Sequence, residues 1–180
     1  MSTPIKTSVP TPTGTWQGNG ILYKEFDLGT EREIGATRGD IKFNADREFK
    51  HIDFNGQYGP IQGNKRITKS EQMLTFGLLE LTYTNFEDCF AGLLVVDAGD
   101  YHEITEDLTI ADADYHDNIT WAGVRDDNKY AIIQLLNALG DGKLEFNIKQ
   151  HEDIVLDTQF TAHYAKETMN EPPWRIRLED

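Results

Sequence analysis

From Ile41 the chain alternates with a period of two, the signature of a strand that buries one face and wets the other. Ile41, Phe43 and Ala45 fall on one side, and Lys42, Asn44 and Asp46 on the other. The phase then slips, because Ile52 and Phe54 are even-numbered where Phe43 and Phe49 are odd. A bulge or bend near Phe49 to Ile52 is therefore expected, keeping both sets on the core side of one long strand. Phe54-Asn55-Gly56-Gln57-Tyr58-Gly59-Pro60 concentrates turn residues, which predicts a hairpin tip at about 54–63. The return strand runs from Ile61 through Lys65 and Ile67, and Leu74, Phe76 and Leu78 read as a third strand.

Thr84 with Glu87 three residues later has the form of a capping box, and Phe86, Cys89, Phe90 and Leu93 recur at helical spacing. One short helix at about 85–92, ended by Gly92, is the prediction. Residues 97–117 are rich in acid and read as a loop. Ile119 to Val124, Tyr130 to Ala138, Leu144 to Lys149 and Ile154 to Tyr164 then read as four strands of an antiparallel meander, joined at turns such as Asp126-Asp127-Asn128 and Gly140-Asp141-Gly142. Of the six prolines only Pro60 lies in the middle of the chain, so residues 1–18 and 166–180 read as extended arms flanking a β-domain at 19–165. Seven or eight strands and one helix are too much sheet for one flat layer. The fold class is mainly β, an antiparallel two-layer β-sandwich or partial barrel.

Composition narrows the function more than it names it. The 9 Phe, 3 Trp and 7 Tyr supply the apolar surface of a folded protein. Cys89 is the only cysteine, so no disulfide within the chain and no zinc-holding cysteine pair is expected. No signal-peptide core or membrane-spanning run is present. With 31 acidic against 17 basic residues the net charge is −14, the wrong sign for stable binding to nucleic acid or anionic lipid.

The search for chemistry returns little. The serines are Ser2, Ser8 and Ser70, none in a nucleophile elbow, and Cys89 sits on the apolar stripe of the predicted helix, where a packed thiol is expected. Asp112-Ala113-Asp114-Tyr115-His116-Asp117 has alternate carboxylates, but Asp117 and Gly123 stand where a calcium loop needs Gly and Glu. His102 and His116 read as surface residues. Paired carboxylates abound in so acidic a chain and single out no acid–base pair. No catalytic residue, metal site or cofactor is assigned, and the chain is not expected to be an enzyme.

One stretch carries a resemblance. Gly35-Ala36-Thr37-Arg38-Gly39-Asp40-Ile41-Lys42-Phe43-Asn44-Ala45-Asp46-Arg47-Glu48, with Asn55-Gly56, the return Gly59-Pro60 to Gly63, and the strand Leu74-Thr75-Phe76-Gly77-Leu78-Leu79-Glu80, resembles the major tail tube proteins of long-tailed siphophages. The similarity is dense from Gly35 to Leu93 and agrees only in element order beyond. Asp40 stands where the pattern has a second glycine, and Lys50-His51 where it has Arg-Asp.

The resemblance implies a structural virion protein, assembled in the host cytoplasm, whose six copies close a ring. Stacked rings would form the tail tube through which DNA is ejected, with tape measure, tail terminator and distal tail proteins as partners. Phage DNA would pass without stable binding, repelled by acidic walls, and no membrane is involved. Phe54, Asn55, Gln57, Tyr58 and Pro60 at the hairpin tip are the candidates for contact between rings or subunits. Asp40, Lys42, Asn44, Asp46 and Glu48 on the polar face of the long strand are the candidate lumen residues. Two other readings compete: the tube of a phage-related secretion or injection apparatus, and a ligand-binding β-sandwich displaying Trp16, Tyr115 and Trp121 in a groove.

Overall fold

The computed structural model describes residues 15–56 and 58–180, with the backbone alone for residues 16–18. The N-terminal arm assigned to residues 1–18 thus lies outside the described residues as far as residue 14. In chain order the elements are β1 (Trp16–Lys24), β2 (Arg32–Glu33), β3 (Thr37–His51), β4 (Lys65–Leu78), α1 (Tyr83–Cys89), β5 (Leu93–Asp97), β6 (His102–Glu106), β7 (Tyr115–Arg125), β8 (Tyr130–Gly140), β9 (Leu156–Ala162) and β10 (Trp174–Leu178). Eight strands form one antiparallel sheet in the order β2-β1-β7-β8-β9-β4-β3, with β10 also on β8, and β5 and β6 form a separate hairpin. The fold is mainly β with one short helix. The path ends on β2 and β3, so the curled sheet is open and no closed barrel forms.

β8 is where the sheet divides. One edge pairs with β7 from Tyr130 to Leu139, while the other is shared, β10 taking Ala131 to Leu135 and β9 taking Ala138 to Gly140. The change of partner falls around Asn137, whose φ of 47° is left-handed. Asparagine tolerates that region better than most residues. Its Nδ2 donates to the His163 carbonyl at 3.2 Å, and the neighbouring Leu136 N–H donates to the Pro173 carbonyl at 2.7 Å. Both diverging chains are thereby tied to one kink, and the sheet folds over a core that includes Leu74, Leu78, Ile119, Leu135, Leu156 and Phe160. Trp121 also lies in that core, against β1 and its own strand. A Cβ on Gly20 or Gly123 would stand 2.4 or 2.3 Å from its ring, which is why those strand positions are glycine.

A buried carboxylate pins the helix to the sheet edge. Asp88 on α1 accepts from Lys24 Nζ of β1 at 2.9 Å and from the Arg32 guanidinium of β2. Burial opposes its charge, but the bonds from Lys24 and Arg32 outweigh that and hold its pKa below the usual 3.8. The carbonyl of Asp88 takes the Nε2–H of His116 on β7 at 2.7 Å. Burial pushes the His116 pKa below its ordinary 6.5, opposed by that carbonyl bond and reinforced by the Lys24 charge.

Several expectations are corrected. Leu144 to Lys149 alternates but pairs with no strand, because the β8 edge it would join is already divided between β10 and β9. The strands anticipated at Ile61 to Ile67 and Leu74 to Leu78 are one, β4. The C-terminal arm contains β10, and the first strand starts at Trp16 within the anticipated N-terminal arm. The loop at 97–117 holds β6, a single 3-10 turn at Asp112–Asp114 and the start of β7. The helix runs Tyr83–Cys89, capped by Thr82, whose Oγ1 accepts from the Asn85 N–H, and Thr84 plays no such part. His116 is buried where a surface position was expected.

Asn137→Val removes the side-chain bond and forces a β-branched residue into left-handed backbone. It should lower stability by about 2 kcal/mol, with Asn137→Gly costing less, as read by urea denaturation. The unfolded chain takes up a proton on His116 near pH 6.5 while the native chain resists, so this contribution is complete above about 6.5 and is lost as pH falls below it. The urea midpoint should therefore drop from about pH 7.5 to about pH 5, and His116→Gln should flatten that part of the curve.

Candidate assembly surface

β3 is the last strand of the sheet, paired with β4 alone, and its far edge has no strand partner among the described residues. β4 is supported by β9 only from Met73 to Leu78. From Gln72 to Lys65 it pairs with β3 and nothing else; Gln72 is still fully buried, but Lys65 to Lys69 are all exposed, and there the two strands leave the body as a free-standing arm. The arm closes on Ile52 N–H to the Asn64 carbonyl at 2.8 Å and Asn64 N–H to the Ile61 carbonyl at 3.2 Å. Left-handed Gly56 and Gly63 turn the tip, at φ of 92° and 93°.

The bulge expected in β3 near Phe49 to Ile52 is absent: the register shifts between Glu48 and Phe49, opposite Lys69 and Ile67, but the extra residue is Thr68 on β4, and β3 keeps its phase to His51. Nor are both phases buried. Phe49, Ile52 and Phe54 are exposed, at 51%, 39% and 56%, because the sheet beneath the arm has already ended. Phe49 and Ile67 continue the core-facing side of the strand pair out into solvent, with Lys65 Nζ 4.5 Å from the centre of the Phe49 ring. Phe54, Asn55, Tyr58 and Pro60 are all exposed at the tip, while Gln57 lies outside the described residues.

Asp40, Lys42, Asn44, Asp46 and Glu48 are exposed as well. Lys42, Asn44, Asp46 and Glu48 share the face opposite Phe43, paired in turn with Thr75, Met73, Glu71 and Lys69. Asp46 and Glu71 are like charges face to face, and Lys69 relieves them, its Nζ 2.7 Å from Glu71. The hydrogen bond and charge of Glu71, then Glu48 and Asp46, raise the Lys69 pKa above 10.5. Asp40 and Lys42 also line an open cleft of ≈ 570 Å³ with Asp141, Lys143, Glu145 and Asp157. The face is charged and wet, with cations and anions interleaved.

Chemistry elsewhere is sparse. Among the described residues no group of three or more His, Cys, Asp or Glu is placed to hold a metal ion. Within the acidic segment the Asp114 carboxylate accepts from the Ala111 N–H at 2.7 Å, and Asp112 lies 3.5 Å from Lys166. The Cys89 thiol is fully buried, and desolvation with the nearby Asp88 charge pushes its pKa up to about 12, so it packs and does not react. Ser70 accepts a hydrogen bond from Gln72 on β4 at 2.6 Å. Trp121 and Tyr115 line different clefts, and the side chain of Trp16 is outside the described part. No helix among the described residues is long and apolar enough to cross a membrane.

One surface escaped the sequence reading. The β5–β6 hairpin turns its outward side, Leu94 and Val96, to solvent at 50% and 44%. The signal was the aliphatic run Leu93-Leu94-Val95-Val96 before the turn Asp97-Ala98-Gly99-Asp100, where the Asp97 carboxylate accepts from the Gly99 N–H at 2.8 Å.

No family model matches the sequence, and no curated protein matches it. Matching chains of solved structures include one from the "Cryo-EM structure of the anti-feeding prophage (AFP) baseplate, 6-fold symmetrised", which has 9% sequence identity and a TM-score of 0.39 over 97% of this chain and 95% of that one. At that score the likeness carries no argument about function.

Because the arm is outside the core, Phe49→Ser should leave the stability of the monomer within about 0.5 kcal/mol. Leu74→Ala in the body should cost about 2–5 kcal/mol. Urea denaturation of the dilute protein reads both.

Proposed function

We propose that this chain is a self-associating structural subunit of a tube of the phage-tail type, in a phage tail or in a related injection apparatus. The arm is the observation that carries this reading. A 15-residue edge strand leaves the sheet in a hairpin whose Phe49, Phe54, Tyr58, Ile61 and Ile67 are exposed. Monomeric soluble proteins seldom display large contiguous apolar patches, and an open edge is a template for another chain. A contact between unlike patches builds rings or filaments, according to whether the rotation closes.

The finer form of the proposal is supported by the resemblance of the Gly35 to Leu93 stretch to siphophage tail tube proteins. In it six copies close a ring, rings stack through the tip residues, and the charged face of Asp40 to Glu48 lines the lumen. A net charge of −14 per copy then keeps a translocating polyanion from adhering. Whether the tube is a phage's or an injection apparatus's is separated by particle fractionation: tubes attached to DNA-filled heads belong to the first, headless particles to the second.

Negative-stain microscopy of the concentrated protein at low and high salt, with light scattering for mass, tests the reading. Rings or hollow tubes are expected, with the balance between assembled and free protein shifting with salt. A monomer that persists at every concentration and salt, even beside an initiator complex, overturns it.

A further inference from the structure

The charge of the arm is at odds with the rest of the chain. Residues 47–69 hold five of the 17 basic residues, Arg47, Lys50, Lys65, Arg66 and Lys69, against Glu48 and Asp53. The arm is thus a basic island on a protein of net charge −14. Lys50 and Arg66 stand directly opposite each other across the strands, a placement that repels. Unlike Asp46 and Glu71, they have no opposite charge between them, and Arg47 has no ion-pair partner among the described residues either. The same face that carries Phe49 and Ile67 carries Arg47 and Lys65.

The body offers the complement. On the outward face of β5–β6, Leu94 stands opposite Thr105 and Val96 opposite Glu103, while Leu93 and Ile104 on the inward face pack against the core. Tyr101 and Leu108, which flank β6 in the chain, are exposed as well, at 64% and 88%. The stretch 97–117 has eight acids and no Lys or Arg, and Asp100, Glu103 and Glu106 have no cation within salt-bridge distance among the described residues. An apolar pair across the two strands of the arm, Phe49 and Ile67, and an apolar pair along β5, Leu94 and Val96, are therefore flanked by charges of opposite sign on one chain.

We propose that the arm of one copy lies on the outward face of β5–β6 of the next, with Phe49 and Ile67 against Leu94 and Val96, and Arg47 and Lys65 reaching Asp100 and Glu103. This rests on the reading of the chain as self-associating and names the partner surface within it. The contact joins two different patches, so each copy keeps a free arm at one end and a free hairpin face at the other, and association continues until a ring closes. Apolar burial supplies the attraction, and the charges set orientation and reject arm-to-arm pairing.

Charge reversal tests the pairing. One variant carries Arg47→Glu with Lys65→Glu, a second carries Asp100→Lys with Glu103→Lys, and a third carries all four. All sites are exposed, and circular dichroism with urea denaturation confirms that each variant folds. By light scattering and sedimentation, each two-site variant alone should need at least about tenfold more protein to assemble than the wild type. An equal mixture of the two, and the four-site variant alone, should recover wild-type assembly, because every arm again meets a hairpin of opposite sign. If the wild type assembles and the two-site variants assemble equally well, or neither the mixture nor the four-site variant recovers, the pairing is wrong and self-association stands. A wild type that never assembles overturns both.

Discussion

A central strand whose one edge must serve two partners shapes this molecule. Had β8 offered its whole length to β9, the sheet would continue flat and leave one face bare. Instead β10 takes the first half and β9 the second, and the left-handed Asn137 turns the strand between them. Divergence at that point brings β4 and β9 over β7 and β8, so that Leu74 and Phe160 meet Ile119 and Leu135 in one core. The helix closes the assembly at the β1–β2 side through Asp88. β3 is left last in line, and its end outruns the core that the curl can provide.

Legibility in the sequence followed from whether a segment's pattern and its pairing were decided locally. β3 alternates, β7 and β8 are apolar runs bounded by turn residues, and all three are strands close to where they were expected. The change of phase between Phe49 and Ile52 did not mark a bulge in β3, which ends at His51; the register shift at Glu48 to Phe49 comes from Thr68 on β4. What failed depended on distant partners. Leu144 to Lys149 alternates as cleanly as any strand here, yet competition for the β8 edge leaves it unpaired. Trp174-Arg175-Ile176-Arg177-Leu178 alternates just as cleanly, but two prolines before it suggested an arm, and only the vacancy beside β8 makes it a strand. β1 was hidden by Gly18 and Gly20, the latter required by the indole of Trp121 from another strand.

The surfaces followed the same logic with the opposite weight. Exposed polar positions on β3 could be read from parity alone, since they need no partner to stay wet. The exposure of Phe49, Ile52 and Phe54 could not, because an apolar residue in a strand pattern signals burial unless the sheet beneath it stops, and where it stops is a property of β9. Likewise, acid content drew 97–117 as a loop, and the apolar outward face of β5–β6 became visible only once its inward face was seen to be occupied by the core.

An isolated two-stranded hairpin is marginal in water, and the arm is one over most of its length. Its opening need not await the unfolding of the body, so it is a separate cooperative unit at the low end of the local stability range. A protease that cuts the tip would therefore leave the curled sheet, Asp88 and the β5–β6 hairpin intact. Such a clipped copy keeps both strands joined to the body but loses the turn that holds them together. If copies join arm to hairpin face as proposed, it could still receive an arm but would extend only a frayed one, and a small fraction of nicked protein would shorten the assemblies it joined without any loss of folded material.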